Sequence, residues 1–344
     1  YIISRKMYNL QIALQVMSMI KKWMKSILKA VSDSFRVATS KITSALIEAG
    51  RTISYVETVS NKADTLHRHL KNVSEIDLKR AFEFNTRQAI GRMGLGRVTL
   101  AIDTTQELYY GNNGKMNVRQ VRNEKGADEA FSYLVLTIVE PKPLPLMAIP
   151  YRQGNDLTTL VKELLEYARK LPFIIELILF DRGFYIWDLI SYLSSVKLKY
   201  LIFVPQNKAM KKYIAQTTLI ASFEHTGKYN KKKSYFIGRT MIVVIKDLIK
   251  NKLNYYWCFA TNLKQSVYLI YKYKQRWQIE TDFRMQDEAR IKTKSNYHII
   301  RYFYFMTSLI LLANWEVDRL KHSERCFKRY LKFIQEEVER EIET

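Results

Sequence analysis

The sequence predicts an α/β protein: a mixed sheet flanked by helices, with a β-rich insertion before the last helix of the core and a helical region ahead of the sheet. Three observations point there. Between residues 98 and 204, apolar runs of strand length alternate with amphipathic segments of helical period. Gly and Pro are scarce, at 11 and 6 of 344 residues, which favours long elements and few elaborate turns. Apolar residues make up 47%, including 23 Tyr and 16 Phe, enough to bury a sizeable core. The length suits two domains, or one domain carrying a large insertion.

Taken in order, residues 1–95 read as helical. Ile12, Val16, Met19, Ile20, Met24, Ile27, Leu28 and Val31 recur at helical spacing, and Lys21, Lys22, Lys25 and Lys29 crowd the same stretch. That basic face is either simply solvated or a phosphate contact. Residues 55–60 and 63–70 form two short helices joined at Asn61-Lys62, spaced as a helix-turn-helix. Thr65, His67, Arg68 and His69 are expected on the exposed side of the second helix. Thr65 and Arg68 are the candidates to enter a DNA groove, and the histidines are expected to meet solvent or phosphate rather than metal.

Strand character begins at residues 98–102, a run ending in Asp103. Residues 131–139 and 144–150 are two more strands, joined tightly through Pro141-Lys142-Pro143. A helix over 156–171 takes Asp156 as its N-cap. Residues 174–180 form an apolar strand ending in Asp181, followed by a helix over 186–194 and a strand over 199–204. Antiparallel strands followed by a parallel βαβ part give a mixed sheet. Residues 206–262 interrupt it with Lys208, Lys211, Lys212, Lys228, Lys231, Lys232 and Lys233, then strand-like runs at 240–245 and 255–261. They read as a β-rich insertion with a basic loop. From 264 onward two long helical segments follow. The apolar run 302–313 is too short to span a bilayer and contains Thr307 and Ser308, so it reads as a buried helix. The resulting division is a helical, DNA-binding region over 1–95, a core over 96–205 and 263–318, the insertion over 206–262 and a C-terminal helix over 319–344.

The formal charge of +23, from 56 Lys and Arg against 33 Asp and Glu, calls for a polyanionic partner. Nucleic acid is the first choice, and a membrane surface is a weaker one. Cys258 and Cys326 match neither a disulfide framework nor a zinc spacing, consistent with a reducing cytoplasm.

Asp103 and Asp181 each follow an apolar run at a strand end, where an α/β sheet opens into its site crevice. A lone Asp there is ordinarily a turn or a cap. Two on neighbouring strands suit phosphoryl transfer, which needs closely placed hard oxygen ligands for divalent metal. A third ligand is expected from the helix around residues 273–288.

These stretches carry a family resemblance. Ala101-Ile102-Asp103-Thr104-Thr105 with Tyr109-Tyr110-Gly111, and Phe180-Asp181-Arg182-Gly183-Phe184, resemble the first two acidic motifs of prokaryotic insertion-sequence transposases of the DDE type. Tyr273-x2-Arg276-x3-Glu280 resembles the Tyr/Arg/Glu/Lys signature of the branch with a β-insertion before the last acid, and Thr261-Asn262-Leu263 ahead of it also fits. The resemblance implies an RNase H-like core and cut-and-paste DNA transposition. It implies two Mg²⁺ or Mn²⁺ ions held by Asp103, Asp181 and Glu280. The expected partners are double-stranded DNA, both the terminal inverted repeats and the target, and a second copy of the chain in the DNA complex, with no membrane. Tyr273 and Arg276, on the helical face of Glu280, are expected to contact the cleaved DNA end. Trp257 in the insertion is a candidate to stack a flipped base, with core packing as its alternative. Trp277 is expected to pack. In one respect the sequence departs from the signature, carrying Asp287 where Lys is expected; Lys292 or Arg290 could substitute. The alternatives are a transposase-derived DNA-binding protein without cleavage, and an RNase H-like nuclease.

Overall fold

The computed structural model describes residues 34–111, 117–231, 234–247, 255–319 and 326–343, with Leu14, Ser18, Lys22 and Trp23 ahead of them. The helical periodicity read over residues 12–31 therefore lies almost wholly outside the described residues, as does Lys232.

Four helices open the described chain: α1 (Ser34–Thr52), α2 (Val56–Val59), α3 (Ala63–Leu70) and α4 (Glu75–Met93). The tight α2–α3 pair forms where the spacing predicts it, because Leu66 and Leu70 bury one side of α3. One expectation is corrected here. His67 points inward, 8% exposed, with its Nε2 2.7 Å from the Tyr304 hydroxyl. Thr65 and Arg68 keep the outer side, where Arg68 Nη2 donates to Thr65 Oγ1 at 3.3 Å. Helix α4 starts at a capping box between Ser74 and Asp77 and stops at Gly94, whose φ of 63° supplies the left-handed cap.

The sheet comprises β1 (Arg97–Tyr109), β2 (Arg119–Glu124), β3 (Ala127–Glu140), β4 (Leu144–Pro150), β5 (Ile174–Phe180), β6 (Tyr200–Phe203), β7 (Ile220–Lys231), β8 (Ser234–Lys246) and β9 (Tyr256–Thr261). Its order is β2-β3-β1-β5-β6-β9-β8-β7, with β4 sharing the outer edge of β3. Strand β1 pairs antiparallel with β3 and parallel with β5, and β5 pairs parallel with β6. The connections β5–α6–β6 and β4–α5–β5 use α5 (Leu157–Ala168), capped by Asp156 as expected, and α6 (Trp187–Ser195). This is the RNase H-like mixed sheet that the sequence predicts.

Three local expectations change. Strand β1 runs six residues past Asp103, because its edge against β3 continues after β5 has ended; Asp103 therefore sits inside a strand. The basic stretch at 208–212 is not loop but helix α7 (Lys208–Ala215), capped by the Asn207 side chain on the amides of Ala209 and Met210. Strand β7 was hidden by its polarity: Glu224, His225, Thr226 and Lys228 interrupt its apolar residues, and its partner β8 supplies most of the buried side chains.

After the sheet come α8 (Tyr268–Lys274), α9 (Trp277–Asp287), α10 (His298–Arg319) and α11 (Phe327–Glu343), four helices rather than two long segments. Helix α10 is buried along nearly its whole length and is the axis of the larger core. Tyr133 stacks on Phe305 at 4.0 Å, Trp23 on Phe303 at 5.8 Å, and Tyr302 donates to the Ala148 carbonyl. The opening helices share this core rather than forming one of their own. A second, smaller core lies on the other face of the sheet, under α8 and α9. None of the described helices is long and apolar enough to cross a membrane.

Helix α10 also buries an acid. Glu316 is 1% exposed, with Arg319 Nη2 2.7 Å away and Asp282 nearby adding repulsion. Burial pushes Glu316 up to about 8 and Asp282 up to about 7. Because the folded-state value of Glu316 exceeds its unfolded one, the folded state holds the extra proton in between, and stability falls as pH rises toward 8. Glu316→Gln removes that dependence. Its melting temperature should match the parent near pH 5 and exceed it by about 2 °C or more at pH 9, a shift of roughly 1 kcal/mol in a large chain. Equal melting curves at both pH values would refute this.

Candidate active site

The site forms where β1 and β5 part. Their last parallel pair is Ile102 with Phe180, so the next residue on each strand, Asp103 and Asp181, stands at the fork. Strand alternation puts Ile102 into the larger core and Ala101 into the smaller one. Asp103 therefore faces the side covered by α8 and α9. Asp181 follows the strand directly and begins a short 3-10 turn, Arg182–Phe184, in which the Phe184 amide donates to the Asp181 carbonyl at 3.0 Å.

The third acid arrives on α9. Between α8 and α9 the residues Gln275 and Arg276 keep helical backbone angles, so Tyr273, Arg276 and Glu280 stay on one side. Arg276 is 5% exposed and spans the gap: Nη1 donates to Asp103 Oδ2 at 2.5 Å and Nη2 to Glu280 Oε1 at 2.5 Å. Among the described residues its buried Nε–H has no hydrogen-bond partner. Tyr273, also buried, donates its hydroxyl to Asp181 Oδ1 at 3.4 Å, a weak bond at that length. Burial raises the Tyr273 pKa above its ordinary value, so the phenol stays a donor. The fork thus gathers Asp103, Asp181, Glu280, Tyr273 and Arg276.

Asp103 titrates away from the ordinary carboxylate range. Burial pushes it up to about 6, opposed by Arg276 and by the Thr104 amide at 2.8 Å and reinforced by the charges of Asp181 and Glu280. Desolvation wins over the ion pair because the Asp side chain is only 16% exposed. Among the described residues, no three His, Cys, Asp or Glu side chains stand close enough to hold a metal ion together. The guanidinium of Arg276 occupies the space between two of the acids instead.

The remaining candidates separate. Trp257 is corrected: it is 4% exposed, donates Nε1 to Asp247 at 2.9 Å and packs against Phe203, Phe259 and Tyr273. It supports the floor under Tyr273 and has no free face for a base. Trp277 is 46% exposed instead of packed. Lys231 ends β7, paired across the hairpin with Ser234. Thr65 and Arg68 lie on α3, outside the fork. Thr261 and Asn262 act as a staple: Thr261 Oγ1 donates to the Tyr200 carbonyl at 2.6 Å, and Asn262 accepts from the Tyr200 amide and donates to the Leu198 carbonyl. Sequence reading missed Glu107, which anchors the far half of β1 by accepting from Arg301 at 2.7 Å and lying 3.5 Å from Arg290. Its only sequence signal was its even spacing from Asp103 along the strand.

With this geometry in place, known proteins give a consistent comparison. The model of the transposase DDE domain matches residues 118–310, more than half of the chain. The protein belongs to the DDE transposase family. The match includes Asp181 and Glu280 and begins after Asp103. Among solved structures, the piggyBac transposase in its synaptic complex with hairpin DNA is similar, with a TM-score of 0.57 at 12% identity over 98% of this chain and 82% of that one. At that identity the likeness shows the shared fold. No curated protein matches the chain. DDE transposases cut and join DNA, and as a family they use divalent metal ions.

Arg276→Ala tests the charge balance of this transposase's fork. It leaves Asp103 buried without its cation, so the metal-free protein should lose about 3–5 kcal/mol at pH 8. Asp103, with a folded pKa above its ordinary value, is protonated at low pH, so the loss should shrink below pH 5. Chemical denaturation of both proteins at pH 5 and pH 8 measures it; an equal loss at both would show that Arg276 acts through packing alone.

Proposed function

We propose that this transposase cleaves double-stranded DNA at the terminal inverted repeats of a mobile element and joins the freed ends to target DNA. The observation that carries the reading is the convergence of Asp103, Asp181 and Glu280 on one Arg–Tyr pair at the fork of β1 and β5. Asp103, Asp181 and Glu280 would hold two Mg²⁺ or Mn²⁺ ions. The donor set fits: all three offer hard carboxylate oxygens, and a guanidinium is already drawn between two of them as a stand-in cation. When bound, the ions supply activation of water and of a DNA 3′-hydroxyl, and neutralise charge at the phosphate under attack.

The chain's own residues bind and orient. Arg276, released from the carboxylates, has a planar donor set suited to a phosphate, and its Nε–H, without a partner among the described residues, adds one more donor. Tyr273 holds the Asp181 carboxylate in place from a dry floor formed by Phe203, Trp257 and Phe259. Thr65 and Arg68 on α3 read the end sequence, while Lys231, Lys232 and the overall charge of +23 hold the backbone. The region over 1–95 is the DNA-binding part, and two copies act together on the DNA, in a prokaryotic cytoplasm at the nucleoid.

One observation favours the non-cleaving alternative. Asp287 stands in place of the signature Lys, and Arg290 is already engaged, 3.5 Å from Glu107 and 3.9 Å from Asp287. If the missing base limits activity, Asp287→Lys should raise the cleavage rate; if it does not, the rate should stay unchanged.

Three experiments test the main reading. At matched occupancy of an end-containing duplex, wild type with Mn²⁺ should cleave and Asp181→Asn should not, while binding DNA as well or slightly better, since one negative charge leaves the site. Equal cleavage would eliminate the carboxylate mechanism, and binding without cleavage by wild type would favour the non-cleaving protein. Separately, DNA affinity should fall steeply between 50 and 200 mM salt, by roughly a thousandfold or more for about six phosphate contacts. Thr65→Ala with Arg68→Ala should weaken binding more for the cognate end than for random DNA; equal losses would reduce α3 to a structural helix.

A further inference from the structure

Trp187 opens α6, six residues after Asp181. A chain of backbone bonds connects the two: Phe184 to the Asp181 carbonyl, Tyr185 to that of Arg182 at 3.2 Å, and Ile186 to that of Phe184 at 2.8 Å. Phe184 is buried against Phe180, with ring centroids 5.4 Å apart, so the turn has little freedom. The indole does not end in the core. It lies across the β7–β8 hairpin at Gly227 and Gly238, which are direct cross-strand partners.

Neither glycine has a left-handed backbone, so φ is not the reason for them. Close approach is. A Cβ on Gly227 would overlap Cε2, Nε1 and Cζ2 of Trp187, and one on Gly238 would come within 2.7 Å of Cε3 and 3.1 Å of Ser191 Oγ, one turn further along α6. The paired glycines form a slot for one side chain. Tyr185 and His225 flank the indole at 5.7 and 5.5 Å. Beyond the slot the hairpin runs on as an arm, carrying Tyr235 and Ile237 at 79% and 64% exposure and the stacked pair Tyr229–Phe236. The slot is thus where the arm meets the segment that carries Asp181.

We propose that Trp187 is a positioning residue for Asp181: the glycine slot ties the attitude of the hairpin arm to that of the carboxylate, so that arm and catalytic fork move as one unit. This rests on the reading of Asp181 as a metal ligand, and the test separates the two. Mn²⁺ binding to metal-free protein is measured by titration calorimetry, alongside cleavage at saturating DNA and DNA affinity. Gly227→Ala should weaken Mn²⁺ binding at least fivefold and slow cleavage at saturating DNA about tenfold, with DNA affinity near wild type and the fold retained at a lowered melting temperature. Trp187→Leu should also be impaired, and the double variant Gly227→Ala with Trp187→Leu should lie closer to wild type than Gly227→Ala alone, because the smaller side chain admits the added methyl. If Gly227→Ala fails to fold, Gly238→Ala, with its milder encroachment, replaces it. Folded glycine variants with unchanged Mn²⁺ affinity and cleavage, or a double variant no better than the single, would overturn the proposal. If Asp181→Asn binds Mn²⁺ as wild type does, the metal-ligand reading fails instead, whatever the glycine variants do.

Discussion

The buried guanidinium of Arg276 is the interaction on which the site depends. Three acids brought to one sheet fork repel each other, and Asp103 is also cut off from water. The charges of Asp181 and Glu280 both raise its pKa, though less than burial does. Without metal, a cation must come from the chain itself, and Arg276 supplies it by bonding Asp103 and Glu280 together. The same residue type is the one best suited to a phosphate once the carboxylates have other partners. A single side chain therefore balances the charge of two of the three acids.

The surrounding fold can be understood as support for that fork. Strand β1 outlasts β5, so Asp103 is held from β3 while its other edge opens into the crevice. Glu107 ties the overhanging half of β1 to Arg301 on α10. On the opposite side, Trp257 and Phe259 build a dry floor that sets the height of Tyr273. The N-terminal helices share the main core with α10, and Tyr55 bridges to Lys292 just after the helix that bears Glu280. The start of the α2–α3 pair is thus tied by backbone to the segment that follows α9.

Sequence reading found what depends on local pattern. Apolar runs located β4 and β5, the short polar turn located α2 and α3, and Asp156 located the start of α5. Strand context and motif order singled out Asp103, Asp181 and Glu280, the acids that meet Tyr273 and Arg276 in the structure. It failed where the pattern was set by distant partners. Strand β7 is half polar because one side of the hairpin faces water. His67 looked exposed on an amphipathic wheel, but the Tyr304 hydroxyl, 237 residues away in sequence, draws it inward. Trp257 was ambiguous between stacking and packing, and only its neighbours across the sheet decide for packing.

The sequence by itself determined the class of fold and the family, because these are written in spacings of a few residues and in a charge balance that survives any folding. The tertiary structure alone decided that Arg276 bridges two of the acids, that Tyr273 reaches the third, and that a tryptophan beside Asp181 fits between two glycines some forty and fifty residues away. Those facts depend on which elements become neighbours. That choice is made by the burial of whole faces, summed over the chain, and no short stretch of sequence contains it.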